Sequence, residues 1–124
     1  MYIHAQHLSD PEVQELRRTA GRWLRQLRES RGLSQRQLAN LVGAEYYTFI
    51  SQLETGRGRI PPDRYRDWAS ALGVEPEVFV RQLMKFYDPV TYSILFGGSP
   101  LSQDDVKRDT PAFDVEIGKQ KDRS

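Results

Sequence analysis

The chain has 124 residues, of which 28% are charged and 38% hydrophobic, enough for one domain with tails and too little core for two. The absence of cysteine excludes disulfides, thiolate zinc sites and cysteine nucleophiles, and fits a reducing compartment such as the cytoplasm. No apolar run approaches membrane-spanning length, and Met1 to Asp10 lacks the basic-then-apolar order of a secretory signal.

The formal net charge is only +1, but it is unevenly spread. From Glu12 to Lys85 there are 13 Lys and Arg against 9 Asp and Glu, a net of +4; from Gly97 to Ser124 there are 5 against 6, a net of −1. The basic excess sits in the part that reads as folded, and it is nearly all arginine. Planar guanidinium forks suit phosphates and guanine edges better than ammonium groups do. Charge alone fits a solvated helical surface equally well.

Ser9-Asp10-Pro11 opens the first element: Ser9 or Asp10 serves as cap, and proline is tolerated where its missing N–H had no partner. Val13, Leu16, Ala20, Trp23, Leu24 and Leu27 recur at three- and four-residue steps. They predict an amphipathic helix to about Ser30, stopped by Gly32, with Gly21 as a point of division into two segments. Ser34 and Gln37 form a capping-box pattern that starts a short helix, closed by Gly43. A third helix is predicted from about Tyr46 to Glu54, with Tyr46, Phe49 or Ile50, and Leu53 inward.

Gly56-Arg57-Gly58-Arg59-Ile60-Pro61-Pro62 reads as a loop rich in breakers. Asp63 to Leu72 is a fourth helix with Tyr65, Trp68, Ala69 and Leu72 inward. Glu75-Pro76 opens a fifth, running to about Tyr87, whose apolar sector is wider than one core contact requires. Pro89 to Phe96 fits a sixth helix or a short strand. The expected organisation is a flexible N-terminus at 1–10, a domain at 11–87, an extra element at 88–97 and a disordered tail at 98–124. Within that tail, Phe113 to Ile117 alternates in the manner of a strand formed against a partner.

The informative unit is the helix, tight turn and helix between Ser34 and Glu54. Ala39 is small enough for two short helices to cross closely, and Gly43 supplies the positive φ of the turn. Ile50 and Leu53 anchor the second helix through Leu38 and Val42. Its outer side holds Thr48, Ser51 and Gln52, short polar groups able to reach base edges or phosphates in a major groove ~12 Å wide. Arg57 and Arg59 flank glycines in the adjoining loop, where guanidinium groups approach phosphates readily.

The series Leu33-Ser34-Gln35-Arg36-Gln37-Leu38-Ala39, then Gly43, then Ile50-Ser51-Gln52-Leu53-Glu54-Thr55-Gly56-Arg57, then Pro61, then Ala69-Ser70-Ala71-Leu72-Gly73-Val74 resembles the lambda-repressor-like (Cro/Xre) helix-turn-helix family. The resemblance covers about Gly21 to Leu83. It implies an all-α, five-helix DNA-binding domain, here with an extended first helix and an extra C-terminal segment, in a bacterial transcriptional regulator that binds double-stranded DNA as a dimer. It places Gln35 at a phosphate or base contact, Tyr47, Thr48 and Gln52 on base-facing positions, and Ser51, Thr55 and Arg57 on backbone-contact positions. It places Arg28 and Glu54 on a pair that in some members forms a buried ion pair between the first and third helices, the alternative being a surface pair worth little. The stretch from Gly43 to Ile50 is longer than in the commonest members, which leaves open which of Tyr46, Tyr47 and Thr48 opens the recognition helix and meets a base.

One such unit contacts few base pairs, so a homodimer on two half-sites is expected. The surplus apolar residues Phe79, Val80, Met84, Phe86, Tyr87, Ile94, Leu95 and Phe96 are the candidate seam. An antitoxin-type module whose tail wraps a protein partner, and which represses its own promoter, is the alternative. An enzyme is not expected, nor is a cofactor. The sequence has no Gly-rich phosphate loop and no nucleophile and base at working spacing, Asp104-Asp105 reads as solvated charge, and His4 and His7 read as part of a mobile tail rather than a metal site.

Overall fold

The computed structural model describes residues 9–97. The expectations for His4, His7, Asp104, Asp105, the Phe113 to Ile117 alternation and the tail as a whole lie outside the described residues. Within them the chain is entirely helical, with six α-helices and one 3-10 turn: α1 (Asp10–Ser30), α2 (Gln35–Val42), α3 (Thr48–Glu54), the turn (Pro62–Arg64), α4 (Tyr65–Leu72), α5 (Pro76–Tyr87) and α6 (Pro89–Phe96).

Local chemistry sets most of the boundaries. Ser9 Oγ accepts the Glu12 N–H at 3.2 Å while the Glu12 carboxylate accepts the Ser9 N–H at 2.9 Å. This reciprocal cap fixes the start of α1, with Ser9 as its N-cap and Asp10 as its first residue, within the stretch expected to be a flexible terminus. Ser34 and Gln37 repeat the device at α2, at 2.7 and 3.0 Å. Gly43 ends α2 with φ 71°, in the left-handed region that its missing Cβ makes accessible. Asp88 accepts the Thr91 N–H at 3.3 Å and starts α6 at Pro89, which resolves the helix-or-strand alternative for that segment in favour of helix.

Gly21 does not divide α1, which runs unbroken past it. Its role is packing. A Cβ at this position would stand 2.6 Å from the Leu53 carbonyl oxygen, and nearer still to that of Glu54. The bare backbone lets α1 lie directly on the end of α3. Around this crossing α1 also packs on α5, α2 on α3 and α4, α4 on α5, and α6 on α5. The core joins Trp23, Leu24 and Leu27 to Leu38, Ile50, Leu53, Trp68, Leu72, Phe79 and Leu83, all buried. Trp23 stacks on Phe79 at 5.5 Å and meets Phe86 at 6.1 Å. Ile60, in the segment read as a plain loop, is also fully buried.

The apolar sector of α5 divides differently from the expectation. Phe79, Phe86 and Tyr87 are buried in the chain's own core, the two phenylalanines against Trp23 of α1 and Tyr87 against the loop at Ile60, and they offer no face to a second copy. Val80 and Met84 are half-buried, and only Ile94, Leu95 and Phe96 are exposed, at 68, 63 and 49%.

Tyr87 pins the loop after α3. Its hydroxyl accepts the buried Ile60 N–H at 3.3 Å, and the Arg59 and Arg17 guanidinium groups lie 4.8 and 5.5 Å from its ring centre. Burial pushes the Tyr87 hydroxyl up to about 12, with the Ile60 hydrogen bond opposing it. Between the ordinary tyrosine value of about 10 and this one, the unfolded chain ionises while the folded chain does not. This stability is present below about pH 10 and declines, by roughly 2–3 kcal/mol, as pH rises through 12. Tyr87→Phe is expected to cost about 1–3 kcal/mol at neutral pH by stranding the Ile60 N–H, and to flatten the alkaline decline. Denaturant unfolding from pH 7 to 12 measures both; an equal alkaline decline in the variant contradicts the assignment.

Candidate nucleic-acid interface

Two short helices and their turn form the candidate site. Leu38, Ala39 and Val42 bury the inner side of α2, and Ile50 and Leu53 bury that of α3. The chain enters α3 through a tight first turn in which Phe49 N–H donates to the Tyr46 carbonyl and Ile50 N–H to that of Tyr47. α3 therefore opens at Thr48, with Tyr47 as its N-cap residue, and not at Tyr46. Tyr46, expected inward, is 67% exposed, while Phe49 is half-buried.

Along α3, Thr48 and Gln52 are exposed and Ser51 is half-buried beside them. Thr55 is exposed, but its hydroxyl donates back to the Ser51 and Gln52 carbonyls at 3.1 Å, closing the end of the helix. A phosphate oxygen only accepts, so this hydroxyl must rotate away from the helix before it serves the backbone contact expected of it.

Beneath α3 lies a buried ion pair. Arg28 Nε and Nη2 donate to the two carboxylate oxygens of Glu54 at 2.6 and 3.0 Å, with side-chain exposures of 10 and 4%. Arg28 Nη1 donates to the Leu33 carbonyl at 2.8 Å, and the Gln35 amide donates to Glu54 at 3.1 Å. The Glu54 hydrogen bonds raise the Arg28 pKa, against the opposing effect of burial. Four hydrogen bonds thus join α1, the approach to α2, the first residue of α2 and the last of α3. Gln35, expected at the DNA, is tied into this clamp and half-buried.

The arginines fall into distinct groups. Arg18 and Arg22 bond to Glu15, whose carboxyl they hold below its usual range, and Arg25 bonds to Glu29, all on the solvent side of α1. Arg59 is drawn to the Tyr87 ring and carbonyl, and Arg17 donates to the Gly58 carbonyl at 3.3 Å. Arg59 is thus held to α5 by stacking and a hydrogen bond, and not left loose beside α3. Arg57 is exposed, and its backbone N–H donates to the Gln52 carbonyl at 2.8 Å. Arg36, which the sequence did not single out, lies with its guanidinium 4.2 Å from the centre of the Tyr47 ring. No signal at the sequence level joins these two residues.

Among the described residues no group of His, Asp and Glu is placed to hold a metal ion, and no helix is long and apolar enough to cross a membrane. Residues 19–83 match a family described as a helix-turn-helix domain, a span that includes α2, α3 and the clamp. No curated protein matches the chain.

Proposed function

Because the chain belongs to the helix-turn-helix domain family, we propose that it is a lambda-repressor-like (Cro/Xre) transcriptional regulator that binds specific double-stranded DNA sequences as a homodimer in the bacterial cytoplasm. The observation that carries this reading is the outer side of α3: Thr48, Ser51 and Gln52 face outward while Ile50, Leu53 and the Arg28–Glu54 pair hold the helix from beneath. Thr48 and Gln52 read base edges, with Ser51 beside them. Arg57 contacts the phosphate backbone, and Gln35, which has a second amide proton beyond the one given to Glu54, reaches a phosphate from the start of α2. We propose no catalytic activity.

Gln52→Ala is expected to weaken binding to a preferred duplex by about 1–3 kcal/mol and to relax selection at one base pair. Arg57→Ala is expected to weaken preferred and random duplexes alike and to make the salt dependence shallower. Binding titrations on both duplexes at several salt concentrations separate the two roles; equal losses for Gln52→Ala on both would show that it touches only backbone.

The homodimer seam is proposed on Ile94, Leu95 and Phe96, joined by Val80 and Met84. These exposed apolar side chains are close together in sequence on α6, the helix that packs on α5. A monomer in sedimentation at micromolar concentration would remove that seam.

A further inference from the structure

We propose that Arg36 is a DNA-phosphate contact oriented by Tyr47, so that Tyr47 serves as a positioning residue and not as a base reader. The inference rests on the reading of the chain as a DNA-binding protein and adds a contact that neither the sequence pattern nor the family match assigns. Arg36 is exposed on the first turn of α2, and among the described residues its guanidinium makes no hydrogen bond or ion pair; its one contact of note is the Tyr47 ring at 4.2 Å. A guanidinium held over a ring face in this way spends no hydrogen bond on it, so its N–H donors remain available to an anion. A flexible arginine is thereby held in a limited set of orientations before any ligand arrives, which reduces the ordering cost of binding.

The position favours a phosphate over a base edge. Tyr47 immediately precedes Thr48, the first residue of α3, and Arg36 follows Gln35. In helix-turn-helix docking the first motif helix crosses the DNA backbone while the second enters the major groove. Arg36, on the first helix and braced against the entrance of the second, is therefore placed toward the strand that borders the groove. Arg36, Asn40, Tyr46 and Tyr47 line a surface groove of about 420 Å³, and Asn40, one turn further along α2, adds a second donor. Glu45 lines the same groove, and its carboxylate repels an anion that approaches it.

The test uses the full chain, a duplex selected from a random pool and a second duplex of random sequence, titrated at several salt concentrations. Arg36→Ala is expected to weaken both duplexes by about 8-fold near 0.1 M salt and to lower the log–log salt slope by about 0.9. Arg36→Lys retains the slope. Tyr47→Phe, which keeps the ring, binds as the parent does. Tyr47→Ala loses roughly 2- to 5-fold, and loses nothing further when Arg36 is already alanine. Tyr47→Ala losses of equal size in both backgrounds would overturn the positioning role. An unchanged salt slope in Arg36→Ala would overturn the phosphate contact while leaving DNA binding intact. Failure of the parent protein to bind any duplex would instead remove the function on which the inference rests.

Discussion

Arg28→Met is expected to destabilise the fold by about 3–5 kcal/mol, because it leaves the Glu54 carboxylate buried with the Gln35 amide as its remaining side-chain partner. A surface ion pair would cost less than about 1 kcal/mol; the 4% exposure of the Glu54 side chain places this pair in the other class. The double variant Arg28→Met with Glu54→Leu removes both charges and is expected to recover most of the loss. The two are separated by chemical denaturation of single and double variants. A double variant as unstable as the single would attribute the cost to lost packing of the arginine stem and not to a stranded charge. DNA binding is expected to recover less than stability does, since the hydrogen bonds that set α3 against α1 and α2 are then absent.

Gly21→Ala is expected to lower stability by about 2 kcal/mol or more, opposite in sign to the ordinary result. In the middle of a helix this substitution usually gains roughly 0.5–1 kcal/mol, since alanine loses less conformational entropy on folding. Here the added methyl meets the Leu53 and Glu54 carbonyl oxygens, the former at 2.6 Å, and backbone cannot turn aside as a side chain can. Overpacking costs about 1–3 kcal/mol and occasionally more, and contact with rigid backbone puts this case at the upper end, so the steric cost wins. The α1–α3 crossing must open, and the clamp at Glu54 opens with it. Thermal unfolding should show a melting point lower by about 10 °C or more. A melting point equal to or above that of the parent would contradict the crossing.

These two positions also mark where sequence reading succeeds and where it stops. The capping boxes at Ser9 and Ser34 were legible because their partners lie within the same turn. The turn at Gly43 was legible because a residue type answers a backbone angle. The Arg28–Glu54 pair was expected from family resemblance alone, since the residues stand 26 positions apart. Gly21 was misread as a break in α1 because its true neighbours, Leu53 and Glu54, belong to a helix more than thirty residues away.

The apolar residues of α5 and α6 show a different limit. Their composition announced more hydrophobic surface than one contact needs, but periodicity does not say which part meets Trp23 and which part meets water. Phe79, Phe86 and Tyr87 went to the core, and Ile94, Leu95 and Phe96 to the surface. In the site, Thr48 and Gln52 were placed outward correctly because Ile50 and Leu53 fix the phase of α3. Tyr46 was placed wrongly because the phase was extended back across a turn that is not helical. Arg59 and Arg36 were beyond reach, since each is oriented by a ring, of Tyr87 or Tyr47, that only the fold brings near.

The most direct measurement is repeated selection of bound molecules from a pool of random duplex DNA at low salt, followed by sequencing. An outward Thr/Ser/Gln side on α3 predicts a recurring sequence, present as two inverted half-sites about one helical turn apart and relaxed at one base pair of each half-site when the selection is run with Gln52→Ala. A recovered pool indistinguishable from the input would contradict the assignment of that side to base recognition.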